Sequence, residues 1–374
     1  MTRKVMVLGP ALDAVSGVST HLNQLLSSTL SATYVLVHFQ VGSEGRRESN
    51  FGKRLRLVSS PISLGLRILW ERPAIVHLNT SLDNKAYWRD VIYLLVAKLL
   101  RRKVVYQVHG GKLPLDFFRG RSLLTQWLKA TLQLPDVVVL LASVELQAYR
   151  VFASAQHLLL IPNAVNIPLY RRTQITKVGD SEPCQLVYIG RLVWSKGLFD
   201  LLHALSLLRQ RGITVDLVLA GDGPDREALH AKALELGVAS QVNFMGAVNV
   251  DAKVKLLHQS DVFVLASHGE GLPYALIEAM AAGLAIVATA VGAIPDAVEQ
   301  GVHGLLVQPA QPVGLADALQ RVVQDPIERA RFGRAAAERA ASLYSLERLS
   351  ADFKDLYDGL LDPRHGNLAY HSER

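Results

Sequence analysis

Short apolar runs alternating with longer amphipathic stretches fill most of this chain. The runs at 4–8, 34–39, 75–78, 104–108, 137–141 and 158–161 read as strands. Between them, 19–27, 85–100, 123–132 and 144–151 carry apolar residues at helical spacing. The segment 170–183, YRRTQITKVGDSEP, is polar and breaks the rhythm. The rhythm then resumes. Strands are predicted over 186–189, 216–220, 242–245, 262–266, 285–288 and 305–307. Helices are predicted over 198–209, 225–236, 251–259, 273–282, 315–324 and 328–341. A last amphipathic helix covers 346–361, and 365–374 is polar and expected to be disordered. Short strands each followed by a helix predict parallel, doubly wound sheets, an α/β fold. A chain of 374 residues is too long for one ordinary core. The expected organisation is a Rossmann-like domain over 1–170, a linker over 171–184 and a second Rossmann-like domain over 185–345. A helix over 346–362 and a tail over 363–374 follow. Ligands are expected at the carboxyl ends of strands, in a central cleft between the domains.

The motifs with candidate chemistry fall at those strand ends: Ser16-Gly17, His109-Gly110, Gly190-Arg191, Gly221-Asp222-Gly223 and Gly269-Glu270-Gly271. The stretch 266–292, ASHGEGLPYALIEAMAAGLAIVATAVG, reads as strand end, Gly-rich turn, helix and strand. Pro273 suits the first helical position and Gly283 the helix end. Such a turn aims free backbone N–H groups at an anion. Glu270 and Glu278 flank it, roughly 12 Å apart by helical rise. That separation is long for an acid/base couple and suits recognition of hydroxyls at two ends of one ligand. The alternative is a solvated Glu270 and a Glu278 paired with a nearby cation. In the loop GRLVWSKG (190–197), Arg191 and Lys196 could grip a diphosphate, or be ordinary surface cations. His109 precedes two glycines that permit close approach of a ligand. It could equally be bonded to a carbonyl at the sheet edge. His21 reads as structural.

Composition narrows the partners. A net charge of +7 and a pI near 9.4 point to an anionic one. Basic residues are dense at Arg46, Arg47, Lys53, Arg54 and Arg56, at Arg101, Arg102 and Lys103, and at Arg119 and Arg121. Together with the mixed loop 111–121, GKLPLDFFRGR, these could dock on anionic lipid, or be a covered loop with scattered surface charge. The most apolar helix-like piece, 91–100, is interrupted by Lys98 and reads as a buried helix, not a membrane span. The N-terminal apolar run breaks at Gly9-Pro10 and meets Asp13, so it reads as a core strand and not as a signal peptide. Cys184 is the sole cysteine, which excludes an intrachain disulfide and suggests a reducing compartment. The chain has no Walker loop, G-x-G-x-x-G fingerprint, G-x-S-x-G elbow, D-x-D triplet or close His/Cys cluster. Neither a nicotinamide or flavin cofactor nor a tightly bound catalytic metal is therefore expected. Nor does it carry a basic–aromatic nucleic-acid module.

GRLVWSKG followed by GEGLPYALIEAMAAGLAIVAT resembles the retaining glycosyltransferases of family GT4, which have the GT-B fold. SGVSTHL, IVHLNT, VHGG and IPNAVN match in order through the first half, so the resemblance spans nearly the whole chain. It implies a hexosyltransferase that uses a nucleoside diphosphate sugar as donor substrate, with no cofactor and no metal. In that resemblance Arg191 and Lys196 bind the donor diphosphate, Glu270 the hydroxyls of the donor sugar and Glu278 the ribose. Gly17 and Gly190 lie in the loops near the phosphates. Gly271, Leu272, Pro273 and Tyr274 bring a helix N-terminus to them. His109 lies beside the donor sugar, and Glu270, His109, Lys196 and Arg191 form the catalytic set. The last helix would cross back onto the first domain. Three positions depart from the pattern: Ser16-Gly17 for Gly-Gly, Val291-Gly292-Ala293 for Val-Gly-Gly, and Asp296 for Glu. They bear on phosphate-loop geometry and base preference. The acceptor implied is a saccharide, lipid-linked and destined for a cell-surface polysaccharide if the basic–apolar segments dock on a membrane. The enzyme would then be cytoplasmic and peripheral on the inner face of the plasma membrane. A cytosolic enzyme with a small soluble acceptor, and a non-catalytic sugar-nucleotide-binding subunit, are the other readings.

Overall fold

The computed structural model describes residues 3–14, 16–44, 49–153, 157–172 and 183–362. Arg46 and Arg47, most of the expected linker and the expected disordered tail lie outside them. The chain forms two compact units, one of residues 1–164 with 346–374, the other of residues 165–345.

In the first unit, β1 (Arg3–Gly9), β2 (Tyr34–Gln40), β3 (Ile75–Leu82), β4 (Lys103–Gly111), β5 (Val137–Leu140) and β6 (Leu158–Leu160) form one sheet. Its order is β2-β1-β3-β4-β5-β6, with every pair parallel. β5 is buried at every residue, because helices cover both faces of a parallel sheet. One apolar layer holds Leu64, Ile68, Val91 and Leu94 against the sheet. The other holds Leu22 and Leu25 with Leu349, Phe353, Leu356 and Leu360 of the final helix, Leu346–Leu361. Those four recur at helical spacing, so this helix completes the first unit's core.

The second unit repeats the plan with β7 (Cys184–Ile189), β8 (Val215–Ala220), β9 (Val242–Gly246), β10 (Val262–Leu265), β11 (Ala285–Thr289) and β12 (Gly304–Val307). The order is β12-β11-β10-β7-β8-β9, again all parallel. The strand order reverses between β7 and β10. Open parallel sheets bind ligands beyond the carboxyl ends of strands at such a reversal.

Four stretches add to or differ from the sequence reading. A helix at Asn50–Glu71, with Pro61 inside it, occupies a stretch read only as basic sequence. The loop 111–121 holds a short helix, Pro114–Phe117, and Phe117 and Phe118 are buried against Tyr87 at ring separations of 5.2 and 5.7 Å. The apolar helix, Asn84–Leu99, is covered on one face only, leaving Ile92, Leu95 and Leu99 exposed. Pro273 caps its helix without entering it: its ψ of 131° is extended, and its carbonyl accepts from Ile277 N–H. Among the described residues no helix is long and apolar enough to cross a membrane.

Candidate active site

The loops leaving β7, β8, β10 and β11 are locked to one another through backbone. Gly190 N–H donates to Ala220 O at 3.0 Å, Leu192 N–H to Asp222 O at 2.9 Å and His268 N–H to Ser195 O at 2.9 Å. Glycine makes this closeness achievable. A Cβ on Gly197 would stand 1.9 Å from Ala266 O, and one on Gly292 would stand 1.7 Å from Glu270 O. Both residues also have left-handed backbone, φ +65° and +55°. The loops therefore hold their side chains on a nearly fixed frame.

That frame brings Lys196 and Glu270 together. Lys196 ends a 3-10 turn, Trp194–Lys196, after β7, and Glu270 stands five residues beyond β10. Lys196 Nζ donates to Glu270 Oε1 at 2.6 Å, with side-chain exposures of 22% and 8%. Ser267 Oγ donates to the same oxygen at 2.6 Å, and Thr289 Oγ1 holds the Ser267 carbonyl at 2.5 Å. Next to them His268 Nε2 meets Asp200 Oδ2 at 2.7 Å and stacks edgewise on Trp194. Arg191 is exposed, while its carbonyl accepts from the Tyr188 hydroxyl at 2.8 Å. A Cβ on Gly190 would lie 2.6 Å from that hydroxyl, so the Tyr188 side chain would have to shift. Gly271 and the buried Leu272 lead to Pro273, and no side chain caps the helix Tyr274–Ala281 that follows. Its first N–H groups are oriented for an anion.

Glu278, on that helix, is buried, and the cation-paired alternative describes its surroundings. Lys253 Nζ at 2.5 Å and the Tyr170 hydroxyl at 2.8 Å both donate to its Oε1. Desolvation, then the Glu278 charge, raises the Tyr170 hydroxyl far above its ordinary pKa, so it remains a donor. Lys253 and Tyr170 were not singled out from sequence. Ser267, inside the same loop as Glu270, was the one missed residue with a readable signal.

In the first unit, Ser16 caps the helix Gly17–Ser27, accepting from Ser19 N–H at 3.2 Å, and Gly17 is the first, exposed helical residue. The helix starts two residues before the predicted 19. Where the related pattern has glycine, Ser16 thus occupies one of the terminal N–H donors. His109 lies near the end of β4, before Gly110 (φ +98°) and Gly111 (φ +109°). Its Nε2 is 2.8 Å from Asn79 Oδ1. Asn79 spends its amide N–H on Leu8 O, so its oxygen accepts and His109 Nε2 donates. Nδ1 is left as the acceptor of a neutral ring. Desolvation, followed by His21 and His77, holds His109 well below the usual histidine range. His21, fully buried, packs on His109 with ring centroids 4.7 Å apart. Among the described residues neither His21 nitrogen has a hydrogen-bond partner within bonding geometry, although nearby Gln107 offsets part of the desolvation that lowers its pKa to about 4. His77 is held between Tyr357 (2.7 Å) and Gln107 (3.0 Å).

Two parallel six-stranded α/β units of this order constitute the GT-B fold, and solved structures share it over nearly the whole chain. Sucrose-phosphate synthase from Thermosynechococcus elongatus superposes with a TM-score of 0.79 at 20% identity, covering 96% of this chain and 99% of that one. Anabaena HepE, solved in complex with UDP-glucose, gives 0.75 at 18% identity, covering 95% and 99%. The glycogen synthase of Mycobacterium tuberculosis is 33% identical over 175 residues, 47% of this chain and 42% of that protein. This chain thus aligns with less than half the length of that relative. Residues 171–339, within the second unit, match the family glycosyl transferases group 1.

Proposed function

We propose that this protein moves a hexosyl group from a nucleoside diphosphate sugar to a saccharide acceptor, with retention of configuration and without a metal. The observation that carries this reading is the 2.6 Å pair of Lys196 and Glu270 at the reversal of strand order. An ammonium and a carboxylate from separate loops meet beside a helix N-terminus that has no side-chain cap. The donor diphosphate would take Lys196, the exposed Arg191 and the first N–H groups of Tyr274–Ala281. These stabilise charge building on the leaving phosphate. Once Lys196 turns to phosphate, Glu270 is free to accept from a sugar hydroxyl. Glu278 reads the ribose with Oε2, as both its observed bonds end on Oε1. Gly17, Gly190, Gly271, Leu272 and Pro273 shape the phosphate loops. Neutral His109 accepts a sugar hydroxyl at Nδ1, a role carried by the family resemblance. The departing phosphate assists deprotonation of the acceptor on the same face, so no enzyme nucleophile is needed. The acceptor in this proposal is lipid-linked and serves a cell-surface polysaccharide, with the enzyme at the cytoplasmic face of the membrane.

The test begins with nucleotide sugars screened for thermal stabilisation, then a transfer assay with the hit, in chelator. Glu270→Ala and Lys196→Ala should each lower transfer by at least about a hundredfold with the fold intact. Wild-type rates in either variant sink the assignment. Loss of wild-type activity in chelator removes its metal-free part.

A further inference from the structure

An amphipathic helix ordinarily turns its apolar stripe to the core. The helix Asn50–Glu71 does the reverse. Phe51, Leu55, Val58, Ile62, Leu66 and Leu69 recur at spacings of three and four, a single stripe along the helix. All six are exposed, from 55% at Leu69 to 76% at Phe51. The face that packs inward is narrow: Leu64 and Ile68, with Ser60 bonded to the Tyr93 hydroxyl at 2.8 Å. The neighbouring helix, Asn84–Leu99, which packs against it, shows a second outward stripe, Trp88, Ile92, Leu95 and Leu99. An exposed apolar surface of this extent marks an interaction site.

The charge around it selects the partner. Arg56 and Arg67 lie on the first helix and Arg72 follows it, while Arg101 and Arg102 follow the second. The first helix has one acidic residue, Glu71, and Lys4 neutralises it at 2.8 Å. Trp70 is 76% exposed with the Arg67 guanidinium 5.9 Å from its ring, a pairing suited to a headgroup layer. A second copy of this chain would bring like charges together. We propose that these paired outward stripes dock the first unit on an anionic lipid bilayer, apolar side chains in the acyl boundary and basic residues on the headgroups. The proposal rests on the glycosyltransferase reading only for its purpose, access to a lipid-linked acceptor. It relocates the docking surface from the loop 111–121, whose two phenylalanines are covered.

The experiment is co-sedimentation of the full chain with vesicles of phosphatidylcholine alone or mixed in equal parts with phosphatidylglycerol. The wild type should pellet with the anionic vesicles and less so in high salt. Ile62→Glu with Leu66→Glu changes two exposed side chains, so the fold is retained, and vesicle affinity should fall at least about tenfold. Ile327→Glu, an 82% exposed site in the second unit, should bind as wild type. Wild type that stays in the supernatant, or a double variant that pellets like wild type, overturns the proposal. So does a wild-type dimer that the double variant dissociates and vesicles do not. Thermal stabilisation by nucleotide sugar, measured on the same proteins without vesicles, reports on the glycosyltransferase reading separately.

Discussion

Glu278 is 3% exposed at its side chain and Lys253 19%, so both charges have left most of their water. A buried ion pair adds little over apolar packing, yet breaking one side strands the other charge. Lys253→Met keeps the stem and removes the ammonium, leaving Glu278 with the Tyr170 hydroxyl as its remaining partner of the two. Urea unfolding should show a loss of about 3 kcal/mol. Adding Glu278→Gln should restore most of it, because no charge is then left without its counterion. Equal stability of Lys253→Met and wild type would mean that Glu278 is solvated after all. At this scale the sequence was half legible. Glu278 stood out because its spacing from Glu270 fits one ligand. Lys253 did not, since it lies on a separate helix, Val250–Gln259, among other polar residues, and the pairing exists through tertiary packing. Lys196 and Glu270 were each named, but their contact across 74 residues needed the folded loops.

At the scale of elements, loops are positioned by glycines that admit a neighbouring carbonyl. Gly292 lies one strand away from Glu270 yet presses on its backbone. Gly292→Ala adds a Cβ where no atom fits, and left-handed backbone alone disfavours alanine by ~1–2 kcal/mol. The loop carrying Glu270 must then move. Misplacement by an ångström at a reacting centre costs on the order of a hundredfold in rate, and transfer should fall by that much while far-ultraviolet circular dichroism stays unchanged. Full transfer activity would show that this contact does not set the position of Glu270. The strands were legible because their apolar runs have no alternative to burial between helices. The helix Asn50–Glu71 was not. Its apolar stripe faces out, Pro61 inside it argues against a helix from sequence, and its basic residues were open to either lipid docking or ordinary surface charge. A helix whose pattern answers to something outside the protein does not announce itself through the protein's own core.

The two units share a fold plan but not a response to acid. The first buries His21 and His77 completely, with pKa values lowered by desolvation to about 4 and about 3. In the unfolded chain both return to about 6.5. Between those values the unfolded state binds more protons, so stability rises with pH and is fully present above 6.5. It is lost as pH falls from 6.5 towards the folded values. At pH 5 each histidine removes about 2 kcal/mol, about 4 kcal/mol together. Lowered His109 acts in the same direction. The second unit's buried His303 is more weakly desolvated and forms a hydrogen bond from Glu299 N–H at 3.0 Å. Acid should therefore open the first unit before the second. Hydrogen exchange at pH 7.5 and 5, corrected for intrinsic rates, resolves the two. Protection should drop several-hundredfold in peptides of β3 and β4 and change less in those of β10 and β11. Equal losses in both units would assign acid sensitivity to something other than the buried histidines. The final helix, Leu346–Leu361, should lose protection with the first unit, since Tyr357 holds His77 and Phe353 packs on it at 5.2 Å. If that helix instead kept its protection while β3 lost its own, it would not be part of the first unit's cooperative core.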